Sequence, residues 1–303
     1  MILLLTGLIV TIVSIALGVY FQIAADNFLV ALLFYILSLI ALILSIIKFL
    51  IIRIEHVRCP LCGSDKSIHF STHGRLAMVR CDDCGLLYAS PRRASPGRFF
   101  IMQLWSFKDA RLDERLRKIF SDDNRRINID PKLEILRSKG YAGDGLSLVD
   151  VGCGIGGFAS VAAEAGYKVT GIEPGWFSSR YARRRFDFEV INANLYKYVT
   201  DKKYDVVTSL HVIEHVHDPV GFGRALGRLV KKDGIVLVAT PNAGCEIAIS
   251  QGANWKAVGP DDHIVLFDEK TLEKTLRDAG FSKVDVFPFR EDGDELIAVC
   301  HLT

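Results

Sequence analysis

The sequence predicts an α/β fold: a doubly wound, Rossmann-like, mostly parallel sheet of seven strands, preceded by a two-helix transmembrane hairpin and a small zinc ribbon. Three observations carry this. The first fifty or so residues are almost wholly apolar, two Cys-x-x-Cys pairs follow, and from residue 146 onward short apolar strands alternate with helical periods. A chain of 303 residues exceeds what one hydrophobic core usually organises. Four segments are therefore expected: the hairpin over 1–55, the ribbon over 56–97, a helical cover over 98–142 and the sheet domain over 143–303.

Residues 1–24 contain no charged side chain, and after Ala25-Asp26-Asn27 a second apolar run covers 28–52. Each run, wound as helix, reaches across the roughly 30 Å of a hydrocarbon core. Lys48, the only charge inside either run, lies close enough to its end to reach the headgroups. No basic segment precedes the first run, which argues against a cleaved signal. Lys48, Arg53 and Arg58 after the second span, set against Asp26 in the turn, place both termini on the cytoplasmic side. The expectation is a two-span membrane protein with the lipid bilayer as a partner and its catalytic domain in the cytoplasm.

Seven cysteines are present, four of them in Cys59-Pro60-Leu61-Cys62-Gly63 and Cys81-Asp82-Asp83-Cys84-Gly85. An odd total with this clustering argues against a disulfide framework. Two such knuckles, each followed by glycine, can set four thiolates tetrahedrally around Zn2+, so Cys59, Cys62, Cys81 and Cys84 are the expected metal ligands. The expected role is a structural staple for a segment too small to hold a core of its own. The formal net charge is only +2, and no basic stripe with interleaved aromatics appears, so nucleic acid is not an expected partner. Between 91 and 140, Phe99, Phe100, Leu104, Trp105, Leu112, Leu116, Ile119 and Phe120 fall at loosely helical spacing among charged residues, as in amphipathic helices that cover a neighbouring domain.

In the last segment, strands are expected at 146–151, 168–173, 189–192, 204–210, 234–240, 284–289 and 295–301, with helices at 158–165, 177–185, 220–229 and 269–279. A ligand in such a sheet sits beyond the carboxyl ends of the strands. The first strand ends in Asp150-Val151-Gly152-Cys153-Gly154-Ile155-Gly156-Gly157, whose glycines let the backbone approach a ligand closely, and Glu173 stands about twenty residues on, where an acid can hold two ribose hydroxyls.

With Gly171-Ile172-Glu173-Pro174, Tyr204-Asp205-Val206-Val207 and His211-Val212-Ile213-Glu214-His215-Val216-His217-Asp218-Pro219, this glycine turn resembles the class I S-adenosylmethionine-dependent methyltransferases, in particular the group that includes ubiquinone-biosynthesis O-methyltransferases. The resemblance covers about half of the chain, and members with a paired-cysteine module before the same domain are familiar. It implies that Asp150, Gly152, Cys153, Gly154 and Gly156 cradle the methionine moiety of the cofactor, that Glu173 binds its ribose, and that Pro174, Asn194 and Leu210 complete the cofactor site. Asn194 stands where relatives often carry an aspartate toward the adenine amine, and its carbonyl can accept the same hydrogen bond. Cys153 is a small packing residue there rather than a nucleophile.

Methyl transfer needs alignment of the acceptor, exclusion of water and often a base. His211-x-x-Glu214-His215 parallels the Glu-x-x-Glu-His segment proposed to bind a divalent metal in the ubiquinone enzymes, but His211 replaces its first acid and leaves the set incomplete for a hard cation. His263 is the second candidate, with Asp261 or Asp262 to orient its imidazole. His217 belongs to a turn in which Asp218 caps the next helix and Pro219 opens it. The expected catalytic residues are His263, His215 and Glu214. The expected function is methyl transfer from S-adenosylmethionine to a small-molecule, glycan or lipid-linked acceptor at the cytoplasmic membrane face; an RNA methyltransferase with a zinc module and a non-catalytic sensor or scaffold are the alternatives.

Overall fold

The structure, a computed structural model, describes residues 12–17, 19–20, 28–50, 53–94, 109–143 and 145–302. It divides into two compact units, Met1–Arg53 with Arg93–Gly97, and Ile54–Arg92 with Arg98–Thr303.

In the first unit, helix α1 (Phe28–Leu50) occupies the second apolar run. The expected two-span hairpin does not hold: among the described residues no helix is long and apolar enough to cross a membrane. The first run is described only at 12–17 and 19–20, and the side chains of α1 only over 29–43. The two-span membrane placement is corrected accordingly.

Among the described residues the second unit contains two sheets of more than two strands. The smaller begins with β1 (Ser67–His73), β2 (Leu76–Cys81) and β3 (Leu87–Ala89), which pair antiparallel in sequence order. Two cover helices follow, α2 (Asp109–Ile119) and α3 (Asp130–Ser138). The large sheet is built from β4 (Ser147–Val151), β5 (Lys168–Ile172), β6 (Glu189–Ile191), β7 (Tyr204–Leu210) and β8 (Val230–Pro241), joined through α4 (Gly157–Glu164), α5 (Trp176–Arg185) and α6 (Pro219–Gly227). Beyond β8 come α7 (Glu246–Gln251), β9 (Val265–Leu266), α8 (Glu269–Asp278), β10 (Lys283–Phe289) and β11 (Glu295–His301). Its strand order is β10–β11–β8–β7–β4–β5–β6, and only β11 runs antiparallel to its neighbours. The result is the doubly wound, mostly parallel seven-stranded sheet expected from the alternation, with β9 as an addition discussed below.

Local chemistry accounts for the element ends. Asp218 accepts from Gly221 N at 2.8 Å with Pro219 in the first turn of α6, so the cap expected at this turn is present. Asp268 and Thr271 form a reciprocal capping box on α8. The central strands β4, β7 and β8 are apolar on both faces because helices cover both, and Val149, Val207, Val236 and Val238 are fully buried. Of the cover, Leu116 on α2 is buried against Ile155 of the glycine turn, and Ile119 closes on Gly157, where a Cβ would meet it at 2.7 Å. Phe99, Phe100, Leu104 and Trp105 lie outside the described residues, as do the side-chain surroundings of Leu112.

Candidate active site

The turn between β4 and α4 takes positive φ at Gly152 (79°), Gly154 (55°) and Gly156 (88°), which is why glycine recurs at every second position. At Gly152 a Cβ would strike Val212 at 2.3 Å, whereas at Gly154 it would meet nothing within 4 Å. Gly154 therefore borders open space, the cradle a ligand needs. Cys153 packs its sulfur against Gly171, where a Cβ would sit 2.6 Å from it, and burial raises its thiol pKa. It is inert packing, not a nucleophile.

Glu173, at the end of β5, is buried and joins two loops: one carboxylate oxygen accepts from Gly154 N at 3.0 Å, the other from Gly175 N at 2.6 Å. Desolvation raises its pKa against these two bonds. Asn192 donates to the carbonyls of Glu173 and Pro174 at 2.8 and 3.1 Å, holding the turn after β5. The Asn194 carbonyl caps a short helical turn by accepting from Tyr196 N at 3.0 Å, so one of its two acceptor sites is already used. Leu210 closes β7, half-buried.

Asp150 is 3% exposed and accepts from Thr208 Oγ1 at 2.8 Å. Burial, reinforced by the nearby Glu173 charge, pushes its carboxyl up to about 7 against the Thr208 bond. The folded apoprotein thus keeps a proton that the unfolded chain loses near pH 4, so its stability falls as pH rises between about 4 and 7 and levels off above. A cationic ligand over the turn favours the carboxylate. Its affinity is expected to rise by up to about tenfold per pH unit from pH 5.5 to 7 and then flatten, and Asp150→Asn to remove that slope; calorimetric titration across this range measures both.

The loop after β7 carries Glu214 and His215. Glu214 is fully buried, accepts from Thr240 Oγ1 at 3.0 Å and lies 3.4 Å from His211 Nδ1. His211 sits at φ 55°, a left-handed conformation uncommon among non-glycine residues, and its Nε2 lies 3.0 Å from Glu295. Burial works against the imidazolium, but Glu214 and Glu295 outweigh it and hold the pKa at about 9. His211 is therefore a cation at neutral pH rather than a base.

His215 and His263 stand with ring centroids 4.9 Å apart. His263 Nδ1 lies 2.8 Å from the Ala257 carbonyl, which can only accept; Nδ1 carries the proton and Nε2 keeps its lone pair. Asp262 pairs with His215 instead, at 3.2 Å through its carboxylate and 2.9 Å through its carbonyl. The orienting partner expected of Asp262 thus belongs to the other histidine, and the Ala257 carbonyl orients His263. Glu214, His215 and His263 bring one ligand atom each within 4.8 Å of one another, but the His211 imidazolium beside Glu214 opposes a divalent cation there.

One buried pair carries no local sequence signal. Lys132, in the first turn of α3, places Nζ 3.0 Å from Glu295 at the start of β11, both side chains nearly inaccessible. A cation at a helix N-terminus is disfavoured by the dipole, so Glu295 and the Phe289 ring, 4.2 Å away, hold it. Lys132→Met is expected to destabilise the fold by about 3 kcal/mol, measurable by urea denaturation, because it leaves Glu295 short of a buried partner.

The four cysteines of the ribbon also converge. Their sulfurs lie within 4.8 Å of one another, with Cys59–Cys84 at 3.6 Å and Cys62–Cys81 at 3.5 Å. A tetrahedron of zinc–thiolate bonds has edges of about 3.8 Å. The knuckles are matched: Gly63 N donates to Cys59 O and Gly85 N to Cys81 O, at φ 77° and 80°.

A family model described as a methyltransferase domain matches residues 104–286. The chain belongs to this methyltransferase family. Ubiquinone biosynthesis O-methyltransferase of Thiobacillus denitrificans is 35% identical over 149 residues, 45% of this chain and 64% of the relative. The enzyme of the same name from Leptothrix cholodnii is 35% identical over 107 residues, 33% of this chain and 46% of the relative. The methyltransferase described here thus spans about half to two thirds of the length of these relatives. Among solved structures, magnesium protoporphyrin IX methyltransferase from Synechocystis PCC 6803 with bound SAH superposes with a TM-score of 0.50 at 18% identity, over 67% of this chain and 99% of that one. A possible histamine N-methyltransferase from Thermotoga maritima gives 0.50 at 19% over the same shares. These likenesses establish the fold, and the family model identifies a methyltransferase domain.

In this methyltransferase the open space at Gly154 and the buried Glu173 carboxylate, which keeps a lone pair on each oxygen for a hydroxyl donor, suit a nucleoside with an amino-acid tail. Of the residues expected at the site, Asp150, Gly152, Cys153, Gly154, Gly156, Glu173 and Pro174 come together around one turn, and Glu214, His215 and His263 around another. His211, read from the sequence as replacing an acid of a metal set, joins the second group as a cation, and Glu295 and Lys132 join it without having been expected there.

Proposed function

We propose that this methyltransferase transfers the methyl group of S-adenosylmethionine to a hydroxyl of a small-molecule acceptor, with His263 as the base. The supporting observation is the tautomer fixed on His263: a proton on Nδ1 bound to the Ala257 carbonyl leaves Nε2 free to take the acceptor proton. In this reading the glycine turn and Glu173 hold the cofactor, with Pro174, Asn194 and Leu210 around it. The cofactor when bound supplies an electrophilic methyl on sulfur, and the chain's own residues align, desolvate and deprotonate the acceptor. Glu214 and His215 shape the loop under the acceptor, and the His211 cation favours an acceptor that develops negative charge on oxygen as its proton leaves. The names of the curated relatives point the same way, toward O-methylation. The four ribbon cysteines hold a structural zinc ion in this reading.

The test is transfer of labelled methyl from S-adenosylmethionine to a panel of catechols, phenols, aliphatic alcohols and amines, with product identified by mass spectrometry. O-methylated product is expected. Transfer to amines alone, or to purified RNA alone, would displace this reading.

A further inference from the structure

The ribbon does not end at its own last strand. The smaller sheet has the order β9–β3–β2–β1, and its fourth strand, Val265–Leu266, comes from the methyltransferase domain more than 170 residues away in sequence, pairing Val265 with Tyr88 and Leu266 with Leu87. The two modules share one core: Leu86, Leu87 and Tyr88 from the ribbon and Val265, Leu266 and Phe267 from the domain are each at most 2% exposed and belong to one apolar cluster.

The junction lies beside the acceptor-side histidines. Ala89 N donates to the carbonyl of Ile264 at 2.8 Å, and Ile264 N donates to the carbonyl of Glu214 at 2.9 Å. The residue after His263 is therefore bonded on one side to the ribbon and on the other to the residue before His215. A second tie runs from Arg92, whose Nη1 donates to the His217 carbonyl at 3.2 Å while its Nε pairs with Glu55 at 3.0 Å. A two-residue strand has too few bonds to stand without a partner sheet. The knuckle leads directly into that partner, since Cys81 N donates to the Leu86 carbonyl at 2.9 Å, one residue before β3.

We propose that the ribbon positions the acceptor-side histidines: metal loading of Cys59, Cys62, Cys81 and Cys84 orders β3, and β3 holds the segment carrying His263 against His215. This rests on the four cysteines being a metal site. It makes the ribbon part of the acceptor wall rather than a separate staple. Loss of the metal by chelation releases the histidine segment while the cofactor half of the site, built on β4 and β5, stays in place.

The experiment is hydrogen–deuterium exchange on the full chain, with metal content measured in parallel and S-adenosylmethionine affinity read by calorimetry. After chelation, protection of 76–92 and of 259–267 is expected to fall together by about tenfold or more, while 204–210 and 235–241 keep theirs and the cofactor Kd changes by less than about threefold. Ala89→Pro removes the donor to Ile264 without touching a cysteine; it is expected to retain zinc and still lose protection over 259–267. Unchanged protection of 259–267 after the metal has left, or in a zinc-retaining Ala89→Pro, overturns the proposal. So does simultaneous loss at 204–210, which means general unfolding. A chain that binds neither zinc nor cobalt(II) in a tetrathiolate site overturns the metal reading and the proposal with it.

Discussion

Glu173→Ala is expected to weaken S-adenosylmethionine binding by at least about 100-fold in calorimetric titration, with the fold retained. The carboxylate does two jobs at once. It accepts from Gly154 N and Gly175 N, fixing the first and second loops relative to each other, and each oxygen keeps a lone pair that can accept from a ribose hydroxyl. A hydrogen bond to a charged group contributes roughly 1.5–3 kcal/mol, and truncation leaves two amides without their acceptor. Together these exceed the about 2.8 kcal/mol that a 100-fold change requires. Glu173→Gln keeps one carbonyl for one of the two amides, and a loss of about tenfold is expected. Equal losses for alanine and glutamine would mean that charge, rather than the loop clamp, dominates.

His263→Ala carries the second large effect. A positioned base contributes about 100- to 10,000-fold, so kcat is expected to fall in that range while the S-adenosylmethionine Kd stays within about twofold. The distinguishing readout is the pH–rate profile. A neutral imidazole must take the proton, so the limb on which the parent's activity rises with pH should disappear in the variant. His211→Ala should leave that limb in place, because His211 is held as a cation by Glu214 and Glu295 up to about pH 9. Loss of the limb with His211→Ala and its retention with His263→Ala would reverse the two roles.

The glycine turn and the Glu173 position were legible in the sequence because their determinants are local. Glycines at 152, 154 and 156 are demanded by positive φ within one turn, and Glu173 follows one βα unit later, a spacing the fold itself imposes. The cysteine knuckles were readable for the same reason. The acceptor half is assembled from distant segments, and pattern does not reach that far. Lys132 and Glu295 meet across 163 positions. Asp262 meets His215 across 47 positions, so proximity in sequence pointed to the wrong histidine. Strand β9 has two residues and no periodicity, and its existence depends on the ribbon that pairs with it. The apolar amino-terminal runs show the limit of composition: length and hydropathy matched a spanning hairpin, and the described helices did not.

In the proposed function the cofactor lies over the glycine turn at Gly154. The most direct test of this placement is calorimetric titration of S-adenosylmethionine into the parent and into Gly154→Ala. A methyl at this position meets no protein atom within 4 Å, and the left-handed backbone costs about 1–2 kcal/mol, a melting shift of a few degrees. One site per chain is expected in the parent, with affinity on the order of 1–100 μM, and a folded variant with no measurable binding. Equal binding by parent and variant would contradict it.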